Sequence, residues 1–169
     1  MKKINLIVTI LFVGLYSCKA QTNQLTEAEF YNIKINNITL RSIYDTNADL
    51  TKMRTLFGDS LVYQANTTGP SLGRDFWNDN IYLNFEDDSN TGNQYNLTNI
   101  QVESSSENVT IKGITIKLGD DVSIFGKNVV INRNNGDNSV VFISELSSSF
   151  AFKIDELTNK IIEITFNAY

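Results

Sequence analysis

The chain contains no histidine and a single cysteine, Cys18. Without histidine the sequence lacks the commonest general base, the usual nitrogen ligand of zinc and the central member of the Ser-His-Asp triad. Because Cys18 is the only thiol, the chain cannot form an internal disulfide, and its hydroxyl groups have no obvious activating base. We therefore predict a protein that has no catalytic residues, is not an enzyme and is held together by its apolar core.

Basic residues are in the minority. The sequence has 19 Asp and Glu residues against 14 Lys and Arg, a formal net charge of −5. Two of the lysines lie at the extreme N-terminus, so the rest of the chain is more acidic still. Nucleic-acid-binding domains carry basic patches or stripes, and segments that bind anionic lipid carry clusters of Lys and Arg. The sequence shows neither pattern, which argues against a nucleic-acid partner.

The N-terminal segment has the features of an export signal. Two lysines precede an apolar stretch at residues 6–15, which is shorter than the roughly 20 residues that cross a bilayer but suits a secretory signal. Leu15-Tyr16-Ser17-Cys18 follows and resembles the lipobox of bacterial lipoproteins. The resemblance implies that residues 1–17 are a signal peptide and that Cys18 receives a diacylglyceryl thioether and a third acyl chain on its freed amine. The alternative is an ordinary cleaved signal peptide with an incidental cysteine.

Lipidation at Cys18 would make the membrane the first partner of this chain. Two or more acyl chains anchor a protein stably, whereas one chain does so only marginally. Lys19-Ala20 lacks the aspartate that retains lipoproteins at the inner membrane in the sorting system that this segment resembles. The resemblance therefore implies a cell-envelope location at the outer membrane.

Downstream of the signal, the sequence predicts a tether and one domain. Residues 18–30 are predicted to be the tether. From residue 31 onward, apolar and polar residues alternate in short runs such as 81–85 and 150–154, and Asn135-Gly136 is a strong hairpin-turn dipeptide. The sequence therefore predicts a single α+β domain over residues 31–169, with short helices packed on one face of an antiparallel sheet.

Apolar residues at helical spacing predict one helix in the first half of the domain. Its apolar face consists of Leu50, Met53 and Phe57. Thr46 or Asn47 is the predicted N-cap, and Gly58 stands where a C-terminal cap belongs.

The two halves of the domain share an order of landmarks. The matched pairs are residues 33–40 with 109–116, 57–58 with 125–126, and 97–99 with 157–159. One interpretation is a duplication that left degenerate repeats at residues 31–103 and 107–169. The other is two β meanders that are similar without common descent.

This arrangement of a short helix ending near glycine, followed by antiparallel strands, resembles the β-lactamase-inhibitor-protein fold and the related small outer-membrane assembly lipoproteins. The resemblance extends over about residues 31–169. It implies one or two units whose helices pack on one face of a curved sheet. It also implies a function that depends on contact with another protein.

Three local patterns have the spacing of known functional sites. Residues 69–73 match the G-x-S-x-G nucleophile elbow, but that motif needs a histidine partner, and a turn is the expected structure. The adjacent pairs Asp87-Asp88 and Asp120-Asp121 could supply the two carboxylates of a hydrolase. The alternative is that they are solvated acids in turns. Asp87-x-Ser89-x-Thr91-Gly92 resembles the start of a calcium loop, but Thr98 stands where a bidentate Glu is required. We therefore predict no metal and no cofactor.

Aromatic residues remain as candidates for binding. Phe76 and Trp77 lie in a predicted loop that precedes the strand 81–85, and Tyr82 is expected on the opposite face from that strand's apolar residues, with Tyr63 nearby. Exposed aromatic residues are favoured interface anchors. The alternative for Trp77 is that it folds back as a lid on the core.

These observations predict a lipid-anchored, non-catalytic protein-binding module of the inhibitor or toxin-immunity type. The first alternative is a structural accessory in outer-membrane assembly or integrity. The second alternative is a hydrolase that uses carboxylates only.

Overall fold

The computed structural model describes residues 23–67, 71–127, 129–134 and 137–168. The predicted signal peptide, Cys18 and the Asn135-Gly136 turn lie outside the described residues. The described part confirms the predicted α+β class, because antiparallel strands predominate and the helices are few and short. Within these ranges, no helix combines the length and the apolar character needed to cross a bilayer.

The described strands form two sheets. The strands are β1 (Gln24–Leu25), β2 (Lys34–Ile35), β3 (Ile38–Thr39), β4 (Val62–Asn66), β5 (Leu72–Trp77), β6 (Ile81–Asp87), β7 (Asn96–Val102), β8 (Val109–Ile111), β9 (Ile114–Ile116), β10 (Ile131–Asn134), β11 (Asp137–Ser144), β12 (Ser148–Ile154) and β13 (Ile161–Ala168). The larger sheet has the order β4-β5-β6-β7-β13-β12-β11, and both β10 and β1 pair with the outer edge of β11. The smaller sheet has the order β3-β2-β8-β9. The pairing of β1 with β11 is parallel, and the other pairings are antiparallel.

A row of apolar side chains crosses the larger sheet on one face, because residues directly opposite each other in an antiparallel ladder share a face. In register order the row is Phe76, Leu83, Ile100, Phe166, Phe150 and Phe142. Each of these side chains is buried. The helices pack on this face, as shown by the ring of Phe30, whose centroid lies 5.9 Å from that of Phe166. We call this the inward face and the opposite one the outward face.

Three short helices and a 3₁₀ helix begin where a side chain can satisfy the free backbone amides of the first turn. They are α1 (Glu27–Tyr31), α2 (Leu40–Tyr44), α3 (Leu50–Phe57) and the 3₁₀ helix Val122–Phe125. Their caps, in the same order, are Thr26, Thr39, Asp49 and Asp121. The predicted cap of α3 at Thr46 or Asn47 is wrong, because Asp49 accepts the hydrogen bond from the Lys52 amide. Helix α2 was not expected from the sequence pattern.

Residues 23–30 belong to the domain, so the predicted tether at residues 18–30 is wrong for its described part. Leu25 and Phe30 are each 1% exposed. β1 adds to the edge of β11, and Thr26 and Glu29 form a reciprocal capping box at the start of α1. Apolar burial and backbone pairing together fix this segment to the domain.

The two halves of the chain share an order of elements: a hairpin, a short helix that ends at a glycine, and a four-stranded meander. Their hairpins pair with each other, because β2 lies antiparallel to β8. Gly58 and Gly126 both end their helices at positive φ, 92° and 72°, where glycine has no steric penalty. The third matched pair is wrong, since residues 97–99 lie inside β7 while residues 157–159 lie in the turn before β13. A duplication stays a prediction.

Candidate functional site

The outward face of the larger sheet carries a shallow cleft at one end of β5, β6 and β7. We call it the aromatic–acidic cleft; it is lined by Gln64, Asp75, Trp77, Tyr82 and Glu103. Trp77 ends β5, Tyr82 is the second residue of β6, and the two are directly opposite in the β5–β6 register. Both side chains are half-buried. The fold therefore places Trp77 and Tyr82, two of the predicted binding residues, side by side on the outward face.

The rim of the cleft is a tight turn between β5 and β6. The side-chain oxygen of Asn78 accepts hydrogen bonds from the amides of Asn80 and Ile81, at 2.9 and 3.1 Å. The amide of Glu103 donates to the carbonyl of Asn80 at 2.8 Å, which ties the end of β7 to the same turn. These hydrogen bonds fix the backbone of the turn next to Trp77, Tyr82 and Glu103.

Asp75 forms the polar floor of the cleft. Its Oδ1 accepts hydrogen bonds from the Tyr82 hydroxyl at 2.7 Å and from the Asn84 amide at 2.8 Å. Burial, followed by the hydrogen bond to Asp75, raises the pKa of Tyr82 to about 12. The phenol therefore stays protonated at neutral pH, donates to Asp75 and holds its ring in one orientation.

Two of the four predicted binding residues are wrong. Phe76 is 0% exposed, and its ring contacts those of Tyr63 and Phe85 at centroid distances of 5.2 and 5.8 Å. Successive side chains of a strand point to opposite faces, so Phe76 must face the core when Trp77 faces outward. Tyr63 registers with Phe76 and shares its inward face. The predicted loop around Trp77 is strand β5, and Trp77 does not fold back on the core.

Three residues of the cleft were not predicted. Asp75 and Gln64 are directly opposite each other on β5 and β4, and Glu103 follows β7. Period-two counting backward from Trp77 would have placed Asp75 on the same face, had the segment been read as a strand.

The G-x-S-x-G segment does not have the structure of a nucleophile elbow. The motif requires a strand before the serine and a helix after it. Ser71 is followed directly by strand β5, and its hydroxyl lies 3.4 Å from a carboxylate oxygen of Glu86. In the described part of the segment, Ser71 is a bend and Leu72 and Gly73 already belong to β5, so the expected turn does not extend over residues 72–73.

The calcium-like loop after β6 is organised around its own carboxylate. Asp87 is 2% exposed and accepts hydrogen bonds from the amides of Ser89, Thr91 and Gly92 at 2.9, 3.1 and 2.6 Å. The Ser89 and Thr91 hydroxyls also donate to it. The Ser89 hydroxyl, followed by these amides, holds the pKa of Asp87 below its ordinary value despite the opposing effect of burial. The loop's own donors thus occupy the acceptor positions that would bind a cation.

The other paired acids also have structural roles or are solvated. Asp120 accepts from the Lys117 amide at 2.9 Å, and Asp121 caps the 3₁₀ helix through the Ser123 amide at 3.0 Å. The Asp88 side chain is exposed in a turn. In the part of the chain that the structure describes, no three His, Cys, Asp or Glu residues are grouped so that they could hold a metal ion.

Comparisons with protein-family models, curated proteins and solved structures found no match.

Proposed function

We propose that this chain is a lipid-anchored protein of the cell envelope that binds a partner protein through the aromatic–acidic cleft, without catalysing a reaction. The inhibitor and toxin-immunity types are the concrete forms of this proposal. The observation that carries it is the pairing of Trp77 with Tyr82 on the outward face, beside the carboxylates of Asp75 and Glu103. The lipobox-like segment ending in Cys18 supports the anchor.

The chemistry of the cleft suits protein recognition. Tryptophan and tyrosine are the residues most enriched among interface hot spots, because each supplies a large apolar area together with a polar group. Eight phenylalanines of the described chain are at most 4% exposed, and Tyr95 is 7% exposed. Trp77 and Tyr82 are half-buried and lie on the outward face, whereas the half-buried Tyr31, Tyr44, Phe57 and Tyr63 pack against the core. This contrast favours a role for these two rings outside the core.

The scaffold beneath the cleft reduces the entropic cost of binding. Phe76 and Leu83 are opposite each other on the inward face, and both are 0% exposed. They immobilise the strands that carry Trp77 and Tyr82, while the hydrogen bond to Asp75 fixes the Tyr82 ring. A preorganised surface loses less side-chain freedom on association, so more of the contact energy appears as affinity.

The test is affinity capture of the full chain from detergent-solubilised envelope membranes. Wild type, Trp77→Ala, Tyr82→Ala and the control Leu157→Ala are compared by quantitative mass spectrometry. Leu157 is 93% exposed in the β12–β13 turn and does not line the cleft, so its truncation removes apolar surface without changing the cleft lining. We expect one specific protein to be recovered with wild type and the Leu157 variant and to be lost with both cleft variants. Equal recovery with all four proteins would contradict the assignment of the cleft.

A further inference from the structure

We infer that the aromatic–acidic cleft receives a cationic side chain, arginine or lysine, from its protein partner. This inference rests on the proposed function and specifies the chemistry of the partner. It follows from the charges of the outward face, from the free acceptor in the cleft, and from contacts that the chain makes elsewhere.

The outward face near the cleft is acidic. Asp75 and Glu103 line the cleft, and Glu163 belongs to the same face of the neighbouring strand β13. The Lys153 side chain is opposite Glu163, one strand further from the cleft. The ion pairs between described residues are Lys112 with Glu29 and Lys160 with Asp121, so the chain supplies no described cation to Asp75 or Glu103. Complementary charge from a partner would neutralise this surface.

Asp75 has an acceptor available toward the cleft. The Tyr82 and Asn84 side chains both donate to its Oδ1. Among the hydrogen bonds of the described residues, none goes to Oδ2. A guanidinium or ammonium group that donates to Oδ2 would form a charge-assisted bond, which is stronger than a neutral one.

The rings beside these carboxylates provide the second half of a cation site. A cation that lies over the face of a tryptophan or tyrosine ring is attracted by the ring quadrupole. Two such contacts occur among the described residues: Arg41 lies 4.5 Å from the ring centre of Tyr31, and Arg74 lies 4.1 Å from that of Tyr95. Trp77 and Tyr82 offer similar rings beside carboxylates and have no described arginine over them.

The test uses the fluorescence of Trp77, the only tryptophan in the chain. The full chain in detergent is titrated with a synthetic peptide of four arginines spaced by glycine, and with the same peptide carrying neutral citrulline. We expect a saturable change in emission with the arginine peptide only, weakened by added salt because exposed charges are screened. Glu103→Gln should raise the apparent Kd about three- to fivefold, as for a surface ion pair. Asp75→Asn should act in the same direction.

The control variant is Glu145→Gln, which makes the same change of charge in the exposed turn between β11 and β12. It should leave the apparent Kd unchanged. Equal responses to the arginine and citrulline peptides would overturn the inference. So would a response to neutral maltohexaose without one to the arginine peptide, or no response up to roughly 10 mM arginine peptide, a concentration that detects even millimolar affinity.

Failure of this inference can be distinguished from failure of the proposed function. Capture of the partner that depends on Trp77 but is unaffected by Glu103→Gln and by salt would retain the function and overturn the cationic chemistry. Capture that is independent of Trp77, together with a specific arginine-peptide titration, would retain the cation site and contradict its role in capture.

Discussion

The side chains of Trp77 and Tyr82 are directly opposite each other across β5 and β6, on the face of the sheet that points away from the core. The neighbour of Trp77 in sequence, Phe76, points the other way and is wholly buried. Two adjacent aromatic residues therefore have opposite roles, and each can serve as the control for the other.

Trp77→Ala should weaken partner binding by about 2 kcal/mol or more, because an aromatic anchor is removed from the interface. Its melting temperature should stay close to that of wild type. Phe76→Ala should instead lower the free energy of unfolding by about 3–5 kcal/mol, because it leaves a cavity beneath the sheet. Affinity capture measures the loss of binding. Calorimetry measures the melting temperature of each variant, and urea unfolding measures its free energy of unfolding. A Trp77 variant as unstable as the Phe76 variant would show that the indole is part of the core.

Cys18→Ala should abolish acylation, because the thioether cannot form without the thiol. The variant should appear as an uncleaved precursor or as a soluble form, whereas wild type should fractionate with membranes and carry the added mass of its acyl chains. Membrane fractionation and mass spectrometry of the intact protein make the comparison. Normal maturation of a membrane-bound Cys18→Ala protein would contradict the anchor.

Leu25→Ala should lower the free energy of unfolding by about 2–5 kcal/mol, the usual effect of truncating a buried leucine. Leu25 is 1% exposed and lies in β1 on the edge of β11. Gln24→Ala is the matched control, because the Gln24 side chain is exposed in the same strand. Urea unfolding of the two variants distinguishes them. Equal stability would mean that residues 23–25 behave as a tether.

Asp87 should make the stability of the domain depend on acid pH. Hydrogen bonds, above all from the Ser89 hydroxyl, hold its pKa below the ordinary value, so the folded state favours the ionised form. This contribution is fully present above the unfolded pKa of about 4 and is lost as pH falls through the lower folded pKa. Asp87→Asn should therefore lose stability at neutral pH and show a shallower decline in acid.

Urea unfolding at a series of pH values measures this dependence. Asp88→Asn is the matched control, since it removes a carboxylate from an exposed position in the same turn. If Asp87→Asn kept the wild-type stability and pH dependence, the hydrogen-bonded loop would not contribute to folding as described.

Alternation in sequence predicted the central strands but missed β5. The run 81–85 alternates cleanly because its inward residues are all apolar. In β5 the alternation is hidden, since Arg74 points inward and Trp77 outward. Arg74 is accommodated because its guanidinium donates to the carbonyl of Ala48 at 2.8 Å and stacks on Tyr95. These contacts come from distant segments and are not visible in local sequence.

The position of Tyr63 could not be derived from sequence for a different reason. Leu61, Val62 and Tyr63 are consecutive apolar residues. Because apolar and polar residues do not alternate in this run, the sequence does not show which side chains face the core. The register with β5 settles it by placing Tyr63 opposite the buried Phe76, which leaves Val62 45% exposed. Of the predicted binding residues, Trp77 and Tyr82 therefore lie on the outward face and Phe76 and Tyr63 on the inward face, and the acids of the cleft became apparent only from strand pairing.

The attachment of the N-terminal segment to the sheet edge would limit how far the proposed lipid-anchored domain could move from the membrane. Asn23 exchanges hydrogen bonds with the backbone of Val130 at 3.0 and 3.2 Å, so four residues of sequence, 19–22, separate this attachment from the proposed acylation site at Cys18. A fully extended chain gains at most about 3.5 Å per residue, so the five steps from Cys18 to Asn23 span at most roughly 17 Å. If the proposed anchor is present, the domain would stay within a thin layer next to the bilayer and would meet only partners that come to that same membrane surface.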